Sequence, residues 1–328
     1  MIKRLLRISA YVSAWLFLAW AFGALWFDLP LPPSIRKVAA LIFLIVSGWL
    51  WLCGGRRGRI ITLGVAVTVT AWWFTLSPSN DRAWTPDVEQ VAWAEIQGDE
   101  VTLHNVRNCD YRTETDYTPR WETRTVRLSQ ITGIDLAACY WGSPYMAHPI
   151  VSFQFIDTPP VCFSIETRKE IGESYSALAG FYRQYELIYT VADERDVIRL
   201  RTNFRSGEDV YLYHLNASPE NARGRFMEYI TTLNHLRLQP AWYNAATTNC
   251  TTAIRTQHDS TKRAPWDWRI LVNGKGDQMM FERGLLKSGD LSFAELKLRS
   301  LINPTVIYAA QDPSFSKLIR QHLSTLTP

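Results

Sequence analysis

Three long apolar runs dominate the first eighty residues. Ile8–Phe27, Val38–Gly55 and Ile60–Asn80 are twenty, eighteen and twenty-one residues without a charge. A helix needs about 20 apolar residues to cross a hydrocarbon core, so each run predicts a membrane span. A helix in a soluble core would be shorter and would carry a polar stripe. The first run lacks a small-residue cleavage site and is rich in Trp and Phe, which suits a retained anchor rather than a signal peptide.

Past the linker Ser77-Pro78-Ser79-Asn80 the period changes to that of strands. Val91–Ile96 and Val101–Val106 alternate around Gly98-Asp99, a hairpin signal. Thr123–Leu128 and Ile131–Tyr140 read as strands, and Trp141-Gly142-Ser143-Pro144 as a turn. In the next segment Val151, Phe153 and Phe155 share one strand face, while His148, Ile150, Ser152 and Gln154 share the other. Pro149 restricts that segment's entry to a strand start or edge. In Val161–Arg168, Phe163 and Ile165 face the core and Ser164, Glu166 and Arg168 face away. If the two pair as a hairpin in the favourable register, Glu166 approaches His148; a slip of one residue puts it on the wrong side.

Further on, Asp209–Leu215 is a predicted strand. Ser218 caps a helix with Pro219 at its first position; it runs to about Leu236 and gathers Phe226, Tyr229, Ile230 and Leu233 on one face. Trp266–Val272 is read as a strand, Ser292-Phe293-Ala294-Glu295 as a capping box, and Ser314–Leu323 as a final amphipathic helix. Tyr185–Thr190 and Asp196–Thr202 fit either element type. The pattern predicts an α+β chain: a three-span anchor over residues 1–80, then an outer domain over 81–328 with a small antiparallel sheet.

Charge divides along the same boundary. The whole chain is +4, but residues 1–80 alone are +7, which leaves −3 for the rest. The outer domain has no phosphate-tracking basic patch, and nucleic acid is set aside. Lys3, Arg4 and Arg7 precede span one, and Arg56, Arg57 and Arg59 separate spans two and three. The positive-inside rule places both groups in the cytoplasm and everything after Asn80 outside. Of five cysteines, Cys53 lies in span two. Cys109, Cys139, Cys162 and Cys250 face an oxidising compartment, as two disulfides or as one Cys109–Cys139 bridge with Cys250 free. No CxxC, HxxxH, Walker, GxSxG or GxGxxG pattern is present, so the reading carries no metal and no cofactor.

Candidate chemistry centres on Trp242–Arg255, a polar loop running into a short helix with Cys250 at its start. Unsatisfied N–H groups and the helix dipole favour a thiolate there, and the same N–H groups can hold an oxyanion. The competing reading is a small buried hydrophobe. Among six histidines, His148 opens a strand next to a turn. His104 and His214 lie inside strands, His235 ends a helix, His258 sits two turns beyond Cys250, and His322 is on the last helix. His148 is therefore the candidate base. Asp193-Glu194-Arg195-Asp196 reads as a solvated loop. Arg199 and Arg201, two apart on a strand face, can meet an anionic headgroup or those acids.

Several blocks in order, His148-Pro-Ile-Val-Ser-Phe-Gln-Phe, Ser164-Ile-Glu-Thr-Arg, Tyr185-Glu-Leu-Ile-Tyr with Asp193-Glu-Arg-Asp, Trp242-Tyr-Asn and Asn249-Cys-Thr-Thr, resemble one bacterial family. It is named for the N-terminal periplasmic domain of a lipoprotein N-acyltransferase (Lnb), and the resemblance runs from about Val91 to Leu326. The resemblance implies a permuted papain-like fold of the NlpC type, with the histidine strand before the cysteine helix. It implies a Cys250–His148 dyad that forms a thioester with a lipid acyl group; the strand register makes Glu166 the candidate that orients His148. Ser164, Arg168, Tyr243 and Asn249 become candidate substrate contacts, and membrane phospholipid or lipoprotein the partner. It also implies a bacterial inner membrane with the outer domain in the periplasm. The founding acyltransferase carries its spans after the domain, so the acceptor stays open. A cell-wall amidase or peptidase on the same fold, and a membrane-tethered binding module without activity, are the alternatives.

Overall fold

The structure is a computed structural model, and it describes residues 1–257, 263, 265–309 and 312–321. His258, His322 and the end of the predicted 314–323 helix lie outside the described residues. The chain divides into two compact units. One holds residues 1–79, 174–186 and 242–245; the other holds 80–173, 187–241 and 246–328.

The first unit contains three helices, α1 (Ile2–Asp28), α2 (Pro33–Cys53) and α3 (Gly55–Thr75), each long and apolar enough to cross a membrane. They meet over Leu18, Ala21 and Ala24 of α1, Phe43 and Trp51 of α2, and Ala66 and Val69 of α3. Alanine at three of these positions lets the backbones approach closely, the usual packing where lipid removes a hydrophobic drive between helices. Ile42, Ile45, Leu52, Val67 and Phe74 remain exposed, as a lipid-facing surface requires. Pro33 starts α2, where its missing N–H costs nothing.

The second unit is built on one eight-stranded sheet. Its strands are β1 (Trp93–Gln97), β2 (Glu100–Arg107), β5 (Trp121–Arg127), β6 (Ile131–Trp141), β7 (Ala147–Phe155), β8 (Val161–Arg168), β9 (Glu186–Ala192) and β10 (Glu208–His214). The order is β1-β2-β9-β8-β7-β6-β10, with β5 also on β2. Two-residue strands β3 (Asp110–Tyr111) and β4 (Tyr117–Thr118) form a separate pair. Helices follow as α4 (Glu194–Arg199), α5 (Pro219–Leu238), α6 (Cys250–Thr256), α7 (Gly276–Glu282), α8 (Phe293–Ser300), α9 (Asn303–Val306) and α10 (Phe315–Leu318).

Both faces of the sheet's centre are covered. On one, Phe153 and Phe163 pack against Phe226 and Tyr229 of α5, edge-on except for the tilted Phe163–Tyr229 pair, with ring centroids 4.9–5.8 Å apart. On the other, Ala137, Ile150, Cys162 and Leu212 pack with Val197 and Ile198 of α4, Ile302 and Val306, and Phe315 and Ile319. Each such side chain withdrawn from water contributes about 1.5–3 kcal/mol.

Several expectations are corrected. The sheet is larger than the small one predicted, because strands with mixed apolar and polar positions are buried on both faces. Asp196–Thr202 is helical, so Arg199 and Arg201 do not share a strand face. The 193–196 run is no solvated loop. Asp193 caps α4, Glu194 is buried against Ser152 and Arg320, and Asp196 forms a buried pair with Arg107 at 2.8 Å. Removing one partner of such a pair costs about 3–5 kcal/mol, which accounts for the run without a ligand. Trp266–Val272 contains a 3₁₀ turn, Trp268–Ile270, rather than a strand. All five cysteines are free. Cys109 packs with Tyr111 and Leu200 while Cys139 packs with Ala137 and Ile150, two separate apolar clusters, so the predicted bridge is absent.

Candidate active site

Helix α6 begins where it does because of Asn249. Its side chain accepts the N–H groups of Thr251 and Thr252 at 3.1 and 2.9 Å, and the Thr252 hydroxyl accepts the N–H of Asn249 at 2.8 Å. This reciprocal capping box makes Cys250 the first helical residue. Asn249, read from sequence as a substrate contact, is thus the cap that sets the thiol's position.

Sγ of Cys250 accepts a hydrogen bond from Nδ2 of Asn273 at 3.0 Å, and Oδ1 of Asn273 accepts the Thr251 hydroxyl at 2.6 Å. The backbone beside Asn273 is docked on the β6–β7 turn. Gly274 donates its N–H to Tyr145 O at 3.1 Å, and its carbonyl accepts the Tyr140 hydroxyl at 3.0 Å. A methyl on Gly274 would run into the Pro144–Met146 backbone, so glycine is required at this approach. Asp277 anchors the same segment through the Tyr213 hydroxyl at 3.0 Å and Lys297 at 2.8 Å. Asn273 therefore joins the cysteine helix to the turn that leads into His148.

Strands β7 and β8 pair with Ile150 opposite Ser164 and Ser152 opposite Cys162. In that register Glu166 comes to the histidine's side of the sheet, as the alternation predicts. Ser164 stands between them: its hydroxyl lies 2.7 Å from Nε2 of His148 and 2.7 Å from Oε1 of Glu166, with Nε2 and Oε1 3.8 Å apart. A serine hydroxyl has one proton. Glu166 is ionised and can only accept, so that proton goes to the carboxylate, and Nε2 must donate to the serine oxygen. The tautomer is thereby fixed with the proton on Nε2 and the lone pair on Nδ1. Ser164 is fully buried, so it serves as a link rather than the substrate contact read from sequence.

Electrostatics agree with that assignment. Burial alone would raise Glu166, but Arg107, His148, Arg201 and the Ser164 hydroxyl outweigh it and hold the carboxyl at about 2. Burial first, then Arg201, pushes His148 down to about 3 against the pull of Glu166. Burial pushes the Cys250 thiol up to about 12, although N–H groups of Thr251 and Cys250 and the charge of Arg201 draw it down. Cys250 is 5% and His148 8% exposed, so at neutral pH both are uncharged. Arg201 and Glu166 act on both groups, and α6 packs against β7 and β8. The hydrogen bond of the thiol comes from Asn273 and that of the imidazole goes to Ser164; the expected bond between the two is not among them.

The other sequence candidates make different contacts. Arg168 is buried, donates to the carbonyls of Val88 and Glu89 and to Asn80, and stacks 4.2 Å over Trp84. We assign it to holding the 80–89 segment, not to substrate. Tyr243 belongs to the first unit, where its N–H donates to Tyr185 O at 3.0 Å. His214 pairs with Asp135 and His104 stacks on Trp93, as structural histidines do. Asn273 and Arg201 were not singled out as partners of the thiol. Asn273-Gly274 reads only as a turn, and nothing local ties it to a cysteine twenty-three residues away.

Residues 117–274 match the family model described as the Lnb N-terminal periplasmic domain, a span that contains Cys250, His148, Ser164, Glu166 and Asn273. This part of the chain belongs to that family. The match is shorter than the 91–326 span read by resemblance. No curated protein and no solved structure matches the chain. With three helices capable of spanning, the chain is a membrane protein with a periplasmic Lnb-family domain.

Proposed function

We propose that this protein is a membrane-anchored thiol enzyme that transfers or hydrolyses acyl groups of membrane phospholipid or lipoprotein through a Cys250 thioester. The observation that supports this most is the His148–Ser164–Glu166 chain. It presents a neutral imidazole with its Nδ1 lone pair unused, at the end of the domain where Asn273 holds the thiol. The order, histidine strand before cysteine helix, is that of a permuted papain-like layout. Cys250 is free, which keeps the thiol available and argues against a binding module with a bridged cysteine.

In the proposed cycle, substrate brings the two groups together, since catalytic hydrogen bonds tighten in the complex. Nδ1 of His148 takes the thiol proton while sulfur attacks the ester carbonyl. The carbonyl oxygen becomes an oxyanion, to which the Asn273 amide donates. Collapse expels the alcohol, which leaves with the proton from the imidazolium. An amine or water then attacks the thioester by the same steps in reverse and frees the thiol. Glu166 stays ionised and stabilises the transient imidazolium through Ser164. In this reading the N-terminus lies in the cytoplasm and this domain in the periplasm, on a bacterial inner membrane, and the two basic clusters support that orientation.

The test uses the full chain in phosphatidylethanolamine and phosphatidylglycerol vesicles, with mass spectrometry of the Cys250 peptide. An acyl adduct is expected in the parent protein. None is expected in Cys250→Ala, His148→Ala or the double variant, which should be similarly inactive because the pair acts on one proton. Acyl transfer by folded Cys250→Ala would end the reading.

A further inference from the structure

Residues 174–182, Ser-Tyr-Ser-Ala-Leu-Ala-Gly-Phe-Tyr, are nine residues without a charge, and they pack with the three helices although they follow them by a hundred positions. A 3₁₀ turn at Ala179–Phe181 shapes the stretch, and the Ala245 N–H donates to Gly180 O at 2.7 Å to hold it. Two contacts fix it at one end of the bundle. Tyr182 lies against Trp20 and Phe27, with centroids 6.5 and 5.1 Å away, and its ring fills the space a side chain at Gly23 would need. Arg183 stacks 4.0 Å over Trp73, donates to the carbonyls of Trp73 and Leu76, and gives its N–H to Asp28 at 3.0 Å.

The depth follows from helix geometry. Gly23 is five residues before the last residue of α1, which at the helical rise is about 7 Å along the axis. That is the depth, about 5–10 Å, at which interfacial apolar side chains rest between headgroups and acyl chains. Around the half-buried Tyr182 the stretch leaves Tyr175, Leu178 and Phe181 exposed, at 49%, 69% and 49%. Exposed apolar side chains this close together mark a binding surface. The stretch ends among the aromatic side chains of the helices, with Tyr182 on Trp20 and Phe27 and the adjoining Arg183 on Trp73 and, at 5.6 Å, exposed Phe74.

We infer that residues 174–182 are a fourth membrane-contacting element, a loop that sets Leu178 and Phe181 into the headgroup boundary of the bilayer crossed by α1–α3. Its occupant is lipid. The inference does not depend on Cys250 being a nucleophile.

The test replaces Leu178, Phe181, Ile42 or Leu298, one at a time, by photoreactive benzoylphenylalanine in the full chain. Vesicles of phosphatidylethanolamine and phosphatidylglycerol are irradiated and peptide–lipid adducts counted. Ile42 is exposed on α2 and Leu298 on α8, so they report the bilayer and water. Adducts at 178 and 181 should match those at 42 and exceed those at 298 by at least about tenfold, the ratio that burying one large apolar side chain supports. Gly23→Leu, which displaces the Tyr182 ring, should reduce adducts at 178 and 181 while leaving those at 42. Yields at 178 and 181 no higher than at 298, or cross-links to a protein instead of lipid, would overturn the inference.

Discussion

Ser164→Ala isolates the link between His148 and Glu166. The change deletes one buried oxygen that carries two hydrogen bonds of 2.7 Å and touches neither sulfur nor, in the proposed cycle, substrate. It leaves a buried Nε2–H without an acceptor and a half-buried carboxylate without its donor. A hydrogen bond to a charged group is worth about 1.5–3 kcal/mol net. If the transition state loses that much imidazolium stabilisation, the rate falls by about 10- to 150-fold. The fold should also weaken by about 1–3 kcal/mol from the unsatisfied groups, with about 2–4 °C lost in Tm per kcal/mol. The assay is the rate of Cys250 acylation from phospholipid vesicles, followed by mass spectrometry, with thermal unfolding in parallel. Glu166→Gln should slow acylation similarly while retaining a hydrogen-bonding partner for Ser164, which separates the charge from the contact. A folded Ser164→Ala protein that acylates within about twofold of the parent, the error of such comparisons, would refute the assigned tautomer and the role of Glu166.

Asn273→Ala removes the donor on Sγ and should lower the acylation rate by about 10²–10³-fold, the usual cost of one oxyanion donor, while stability falls by only about 1–3 kcal/mol for the two lost hydrogen bonds; an unchanged rate in the folded variant would remove Asn273 from the chemistry. The pH–rate profile should show no acid limb between pH 5 and 8, because His148 titrates near 3 and stays a neutral base throughout. A limb near pH 6.5 would mean an ordinary, solvated imidazole. The same depressed value gives a stability term that is present above the unfolded pKa near 6.5 and is lost as pH falls toward 3, measurable by acid unfolding of His148→Ala against the parent. A reporter active only outside the cytoplasm should work when fused after Asn80 and fail when fused at Gly58; the reverse pattern would overturn the periplasmic placement.

Hydrophobic periodicity determined much of this protein by itself. Lipid solvates only long uncharged helices, so Ile8–Phe27, Val38–Gly55 and Ile60–Asn80 announce α1–α3 without tertiary information. Alternation with a turn at Gly98 announces the β1–β2 hairpin, and local hydrogen bonds at Ser218 and Ser292 announce two helix starts. The same alternation put His148 and Glu166 on one side of paired strands, because a strand's period of two ties every side chain to the register. Cys250 as a first helical residue was legible for a similar reason, since its cap is the preceding residue. What periodicity missed depends on long-range pairing. Glu194 and Asp196 look solvated until Arg320 and Arg107 arrive from 126 and 89 residues away. Residues 174–182 look like an outer-domain loop until Tyr182 meets the space above Gly23. Asn273 acquires its role only when Gly274 docks on Pro144–Met146 and swings the amide onto Sγ. A local pattern records which face a residue takes. Which distant residue completes that face is decided by close packing, and only the folded chain contains it.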